Sequence, residues 1–213
     1  MVNKVKSNGH ILGFDVSTKT IGVSLFDGEG KLILLTHVAP KIDLDNLSPI
    51  EILIKKAEVF EDVFLKKYKD TIISKIIIEE PLLQSNNVNT VATLLRFNGM
   101  ISRSVYDTFG IVPEFISSYD SRKYAFPELM SVRTIDGEGN PLSESKIKSN
   151  KPVLFGGFPK NVDKKLVIWE KIAELEPQIV WLYDKRQKLK KENFDMTDAY
   201  CCVMAYMKKN NIW

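Results

Sequence analysis

Read from the amino end, the apolar positions of this chain change period several times, and each change marks an element. Residues 10–16 form a short apolar run interrupted only by Asp15, as a strand would be. Residues 21–26 alternate, and Asp27-Gly28-Glu29-Gly30 is turn chemistry before a further apolar stretch over 31–38. The opening therefore reads as a three-stranded antiparallel meander. From residue 49 the spacing becomes helical, with Ile50, Leu53, Ala57, Phe60 and Phe64 on one stripe, so a helix is expected over 49–68. Ile76-Ile77-Ile78 is continuous, as in a strand covered on both faces, and ends in Glu79-Glu80-Pro81. A helix over about 87–109 carries Val91, Leu94, Leu95, Ile101, Val105 and Phe109, with Gly110 as its cap, and 112–117 supplies a fifth strand. Prolines and glycines break any period over 127–161, which reads as a long loop or flap. Helical character returns over 162–192, broken or kinked at Pro177, and a last helix covers about 196–209.

The order βββ-α-β-α-β-α-α predicts an α/β protein, a central five-stranded mixed sheet flanked by helices, in the manner of the RNase H-like fold. All 213 residues fit one domain, 1–213, with the flap at 127–161. Hydrophobic residues at 44% and charged residues at 27% belong to a globular chain. A net charge of +3 is too small to announce a nucleic-acid partner by itself, so local clusters must make that case. Cys201 and Cys202 are adjacent, which excludes a disulfide framework and points to a reducing compartment. No apolar run approaches the ~18 residues of a membrane span, and the polar, lysine-containing start is unlike a secretory signal. A cytoplasmic protein is expected.

The candidate chemistry lies in acids placed where acids are costly. Asp15 stands inside an apolar strand, where an unpaired carboxylate costs several kcal/mol or takes up a proton. A turn-capping role with Ser17 and Thr18 would also explain it. Glu79 sits where a buried strand emerges at its carboxyl end, a common position for sites in α/β sheets, although an ordinary strand end reads the same way. Asp195 and Asp198, three apart, share one helix face, and acids also serve as N-caps. Taken together, acids on a first strand, a fourth strand and a last helix converge only in certain folds. Hard divalent cations would relieve their repulsion, and all-oxygen ligands favour Mg²⁺ or Mn²⁺ over zinc.

Three ordered segments then carry a family resemblance. Residues 12–22 (LGFDVSTKTIG) resemble the first motif of RuvC-type Holliday junction resolvases, residues 77–81 (IIEEP) the second, and residues 195–199 (DMTDA) the last. The resemblance runs from residue 11 to 207 and implies Asp15, Glu79, Asp195 and Asp198 as catalytic metal ligands. It further implies two Mg²⁺ ions, replaceable by Mn²⁺, that promote phosphodiester hydrolysis in four-way or other branched DNA. A homodimer built on the helix at 87–109 is implied as well, with no small-molecule cofactor and no membrane partner. Two basic segments resemble places where the family has a functional lysine: Lys123 after the fifth strand, and Lys164 or Lys165, with Lys165 favoured by the apolar spacing of Ile168 and Ile172. Leu82 stands where the family often has an aromatic wedge. The flap and the stretch 173–193 are longer than in compact bacterial members, which suggests a phage or viral version acting in the host cytoplasm.

Lys185 and Arg186, with Lys188, Lys190 and Lys191, crowd the segment before Asp195 and could meet phosphates; a solvated surface explains them equally. The same holds for Lys146, Lys148, Lys151 and Lys160 in the flap. Tyr119, Tyr124, Phe126, Phe155 and Phe158 lie near these charges and suit either base stacking or a core. Three other functions remain in view: a nuclease of the RuvC/YqgF group acting on RNA or on less specific DNA, a sugar-kinase-like phosphotransferase, and a junction-binding protein without chemistry. The kinase reading would require a second copy of the 11–30 hairpin, which is not present. The silent binder gives no reason to gather acids.

Overall fold

The computed structural model describes residues 9–81, 87–159 and 161–212. Strands β1 (His10–Val16), β2 (Ile21–Phe26) and β3 (Leu32–Val38) form the opening meander, with Asp15 opposite Gly22 across β1 and β2. Helix α1 (Pro49–Phe60) begins at a capping box: Ser48 caps the Glu51 amide, and the Glu51 carboxylate accepts from the Ser48 amide at 2.8 Å. It passes through one π-helical turn (Glu61–Leu65) into a last short piece, α2 (Lys66–Tyr68). Strand β4 (Ile73–Glu79) then lies parallel to β1 and to β5 (Glu114–Ile116), giving the sheet order β3-β2-β1-β4-β5. Between β4 and β5 runs α3 (Val88–Phe109), closed by Gly110 in the left-handed conformation at φ 69.

The alternation of side chains along the strands divides the interior in two. Even-numbered β1 and β4 residues, Leu12, Phe14, Ile76 and Ile78, pack with Phe60, Phe64, Phe97 and Ile101 of the α1 and α3 layer. Odd-numbered Ile11 and Ile77 face the other layer with Ile168, Ile172, Tyr200 and Val203. Those come from α6 (Lys164–Leu175) and α7 (Glu192–Lys209). Asp15 and Glu79 are odd-numbered too, so pleat parity directs both toward α7.

Four segments depart from the pattern read in the sequence. Helix α4 (Ser118–Ala125) follows β5 directly, where no helix was expected, because its sequence SYDSRKYA buries only Ser121 and Ala125 and carries little apolar periodicity. The 127–161 stretch is not bare loop. It holds a two-stranded sheet of β6 (Met130–Ser131) and β7 (Val153–Leu154), with the short α5 (Glu144–Ser149) between them. Beyond Glu176 the chain is not helical: Pro177 ends α6, and 178–191 forms an irregular hairpin bridged at Tyr183 and Leu189. Its turn is closed by Asp184, whose side chain accepts from the amides of Arg186 and Lys188. Finally, α7 begins at Glu192 rather than near 196, with Lys191 at the cap position and no side-chain cap.

Helix α7 crosses β1 and β2 at a distance that admits no side chain between backbones. A Cβ at Gly22 would stand 1.9 Å from the Asp195 carbonyl oxygen, and one at Gly13 2.5 Å from that of Ala199. Ser24, beside Gly13, donates its hydroxyl to the Ala199 carbonyl at 2.8 Å. These contacts are with backbone, which cannot swing aside. Gly22→Ala is therefore expected to lower the unfolding free energy by ~3 kcal/mol or more, measured by urea denaturation. A loss within ~0.5 kcal/mol would show that α7 is not seated on this glycine.

Candidate metal centre

The site is assembled from strand ends and one helix. Asp15 lies one residue before the end of β1. The parallel register of Phe14 with Ile78 brings Glu79, the last residue of β4, alongside it. Asp195 and Asp198, one helical turn apart on α7, come over the same place because Gly22, the cross-strand partner of Asp15, touches the Asp195 backbone. Burial and mutual repulsion raise the pKa values of Asp15, Glu79 and Asp195. Asp15 is held well above the ordinary carboxylate range by burial, then by Glu79, Asp198 and Asp195. Burial and the neighbouring Asp198 push Glu79 up to about 8. Burial lifts Asp195 to about 6 against the opposing pull of Lys165.

None of the simpler roles for these acids describes what they touch. The turn after β1 is closed by Ser17, whose hydroxyl donates to the Thr20 carbonyl at 2.8 Å and accepts from the Thr20 amide at 3.1 Å. Glu79 keeps Oε2 buried with no hydrogen-bond partner among the described residues. Asp195 lies inside α7 and accepts from the Thr20 side chain instead of capping the helix.

Two cations enter from the flanking helices. Arg122 of α4 donates from Nη2 to Oδ1 of Asp198, and Lys165 of α6 donates from Nζ to Oδ2, each at 3.1 Å. Asp198 itself is buried, at 3% exposure. Among the described residues no three His, Cys, Asp or Glu side chains are already drawn together as a ligand group, and Asp198 is engaged by its two cations. The donor set nevertheless suits a hard divalent ion: all oxygen, mutually repelling, with one buried lone-pair atom unpaired.

The other residues singled out in the sequence lie elsewhere. The Lys123 ammonium rests over the rings of Tyr119 and Tyr124, 5.9 and 5.2 Å from their centroids. Arg122, one residue earlier, is the one that reaches them. Sequence reasoning passed over it because the helix that aims it was not foreseen. Lys165 enters the site, whereas its exposed neighbour Lys164 does not touch the acids. Lys185 and Arg186 are exposed on the 184–188 turn and no contact joins them to the acids. Leu82 and Lys160 lie outside the described residues.

No family model matches the chain, and no curated protein matches it either. Among solved structures it is similar to Thermus thermophilus RuvC in complex with a Holliday junction substrate. The identity is 8% and the TM-score 0.52, over 96% of this chain and 98% of that one. A second Thermus thermophilus RuvC structure matches at 9% identity and TM-score 0.48, over 93% of each chain. A ROK hexokinase from the same organism reaches 13% identity and TM-score 0.36, over 84% of this chain and 67% of that one, too low to bear on function. At 8% identity the first of these establishes the fold alone.

The electrostatics can be tested without a substrate. Folding raises these carboxyl groups above their ordinary values near 4, so the folded state binds more protons than the unfolded one. Stability is then undiminished below about pH 4 and falls as the pH climbs through the raised values, about 6 for Asp195 and about 8 for Glu79. In chelator, the melting temperature should drop between about pH 5 and pH 8, and Glu79→Gln should flatten that drop. Equal slopes for variant and wild type would contradict the assigned clustering. The chain has an RNase H-like fold, the fold of RuvC.

Proposed function

We propose that this chain is a divalent-metal-dependent endonuclease that cuts four-way or otherwise branched DNA by phosphodiester hydrolysis. The observation carrying this reading is that Asp15 and Glu79 are buried within electrostatic reach of Asp195 and Asp198, at a cost that Arg122 and Lys165 offset only in part. A protein that only bound DNA would lose affinity by gathering acids there. Asp15, Glu79, Asp195 and Asp198 would hold Mg²⁺, or Mn²⁺ in its place, with two ions accommodated by the acid count. Such ions supply an activated water and charge neutralisation at the attacking and leaving oxygens.

The chain's own residues divide the remaining work. Asp15 and Glu79 sit at the ends of adjacent strands, so the sheet fixes their separation. Arg122 and Lys165 hold Asp198 in place. With cations held by the acids, the guanidinium and ammonium would be free to donate to a non-bridging phosphate oxygen, where charge develops during displacement. Lys185 and Arg186, exposed just before α7, would add sequence-independent phosphate contacts. Cutting two opposed strands calls for two sites, and a homodimer through the outer face of α3, where Leu95 and Tyr106 are exposed, would provide them.

The decisive measurement compares Mg²⁺-dependent cleavage of a synthetic four-way junction with that of matched linear duplex and of single-stranded and duplex RNA. The junction should be cut preferentially. Asp15→Asn and Asp198→Asn should each abolish cutting while junction binding stays intact or tightens, and Lys165→Ala should lower turnover about 100-fold. Wild-type turnover in either aspartate variant at saturating Mg²⁺ would remove that residue from the site. Preferential cutting of RNA would move the chain to the RNA-processing side of the same fold.

A further inference from the structure

We propose that the cleft between α4 and the β6–β7 hairpin is a nucleotide pocket, which takes one base of the cut strand, with its phosphate, beside the acid centre. This rests on the nuclease reading above and goes beyond it by naming where the strand runs. The cavity measures about 190 Å³ and is lined by Tyr119, Arg122, Met130, Leu154 and Lys164. That is the bulk of roughly six water molecules, room for one flat heterocycle and not for a base pair.

The lining matches a base in kind as well as size. Met130 and Leu154 are cross-strand partners and form an apolar wall, and Tyr119 supplies an aromatic ring on the α4 side. Two polar atoms of the lining residues, the Tyr119 hydroxyl and Arg122 Nε, are buried with no hydrogen-bond partner among the described residues. A buried donor without a partner carries a penalty that persists until an acceptor reaches it. Arg122 joins this cleft to the chemistry, because its Nη2 donates to Asp198 in the acid centre while its body lines the cavity.

Charge gives the direction in which the strand continues. Lys164 and Lys165, adjacent at the start of α6, diverge: Lys165 reaches Asp198, whereas Lys164 stands at the cavity wall. Past Lys164 lies a second cavity of about 170 Å³, sharing Val153 and Leu154 and adding Arg133, whose guanidinium lies against Gly157. Among the described residues no Asp or Glu lines either cavity. The series Arg122, Lys164, Arg133 thus makes a cationic track leading from the acids to the 127–161 segment, suited to a polyanion carrying flat apolar groups.

The test uses the full chain with Asp15→Asn, bound to a four-way junction carrying 4-thiothymine at single positions within three nucleotides of the branch. Irradiation should crosslink one position to the peptide containing Tyr119 or Met130. In the wild-type chain, an abasic site at that same position should lower kcat/KM about tenfold. Tyr119→Ala should lose the same factor on the intact junction and show no further loss on the abasic one. Tyr119→Phe, which keeps the ring and loses the hydroxyl, should restore part of the base dependence, and Val153→Trp, which fills the cleft, should abolish it. Should the junction bind but crosslink only to other peptides, or the abasic site cost the same in wild type and Tyr119→Ala, the pocket is refuted and the nuclease reading stands. If no nucleic acid is bound or cut, both fail together.

Discussion

The structure depends on one close approach: the first two turns of α7 lie directly on the backbones of β1 and β2, with Gly13 and Gly22 in place of side chains. A helix normally packs on a sheet through side chains that keep the backbones apart. Removing them at two positions lets the helix drop until carbonyl oxygens of Asp195 and Ala199 fill the places where Cβ atoms would be. Because Gly22 is also the partner of Asp15 across the ladder, the contact that seats the helix delivers its two aspartates to the strand aspartate. Packing and site assembly are one event.

That arrangement has an electrostatic consequence which the rest of the fold only partly offsets. Asp15, Glu79, Asp195 and Asp198 face two cations, Arg122 and Lys165, and both of these are committed to the same acid. For the other three, burial and mutual repulsion outweigh the pull of these cations, and their proton affinities are raised. A structural ion-pair network tends toward matched charges and satisfied lone pairs. This one keeps an unpaired buried oxygen on Glu79. The mismatch is of the kind that functional centres retain at the expense of stability.

Much of this was legible in the sequence because it rested on strong periodicities. The continuous Ile76-Ile77-Ile78 run and the isolated Asp15 in an apolar strand specify both the element and the anomaly, and pleat parity then places Asp15 and Glu79 on one face. What escaped was carried by weak signals. Helix α4 has no apolar stripe, since it buries little more than Ser121 and Ala125, so Arg122 looked like one basic residue among several and Lys123 drew the attention. Over 178–191 the reverse error arose: apolar residues near helical spacing suggested a helix, yet Pro177 and the Asp184-centred turn impose a hairpin. Local hydrogen bonding by an aspartate outweighed periodicity there.

Helix α6 shows how the two halves of the site region are coupled through a single cap. Asp163 accepts from the amides of Lys165 and Leu166, at 3.0 and 3.2 Å, and so sets where the helix begins. Ile168 and Ile172 fix its rotation by facing the core. With start and rotation both determined, adjacent lysines at 164 and 165 must leave the helix about 100° apart, so one enters the acid centre and the other cannot. The division between a lysine that serves the acids and a lysine that lines the neighbouring cleft is therefore not a matter of side-chain flexibility. It is imposed by one carboxylate at the helix start and two isoleucines in the core.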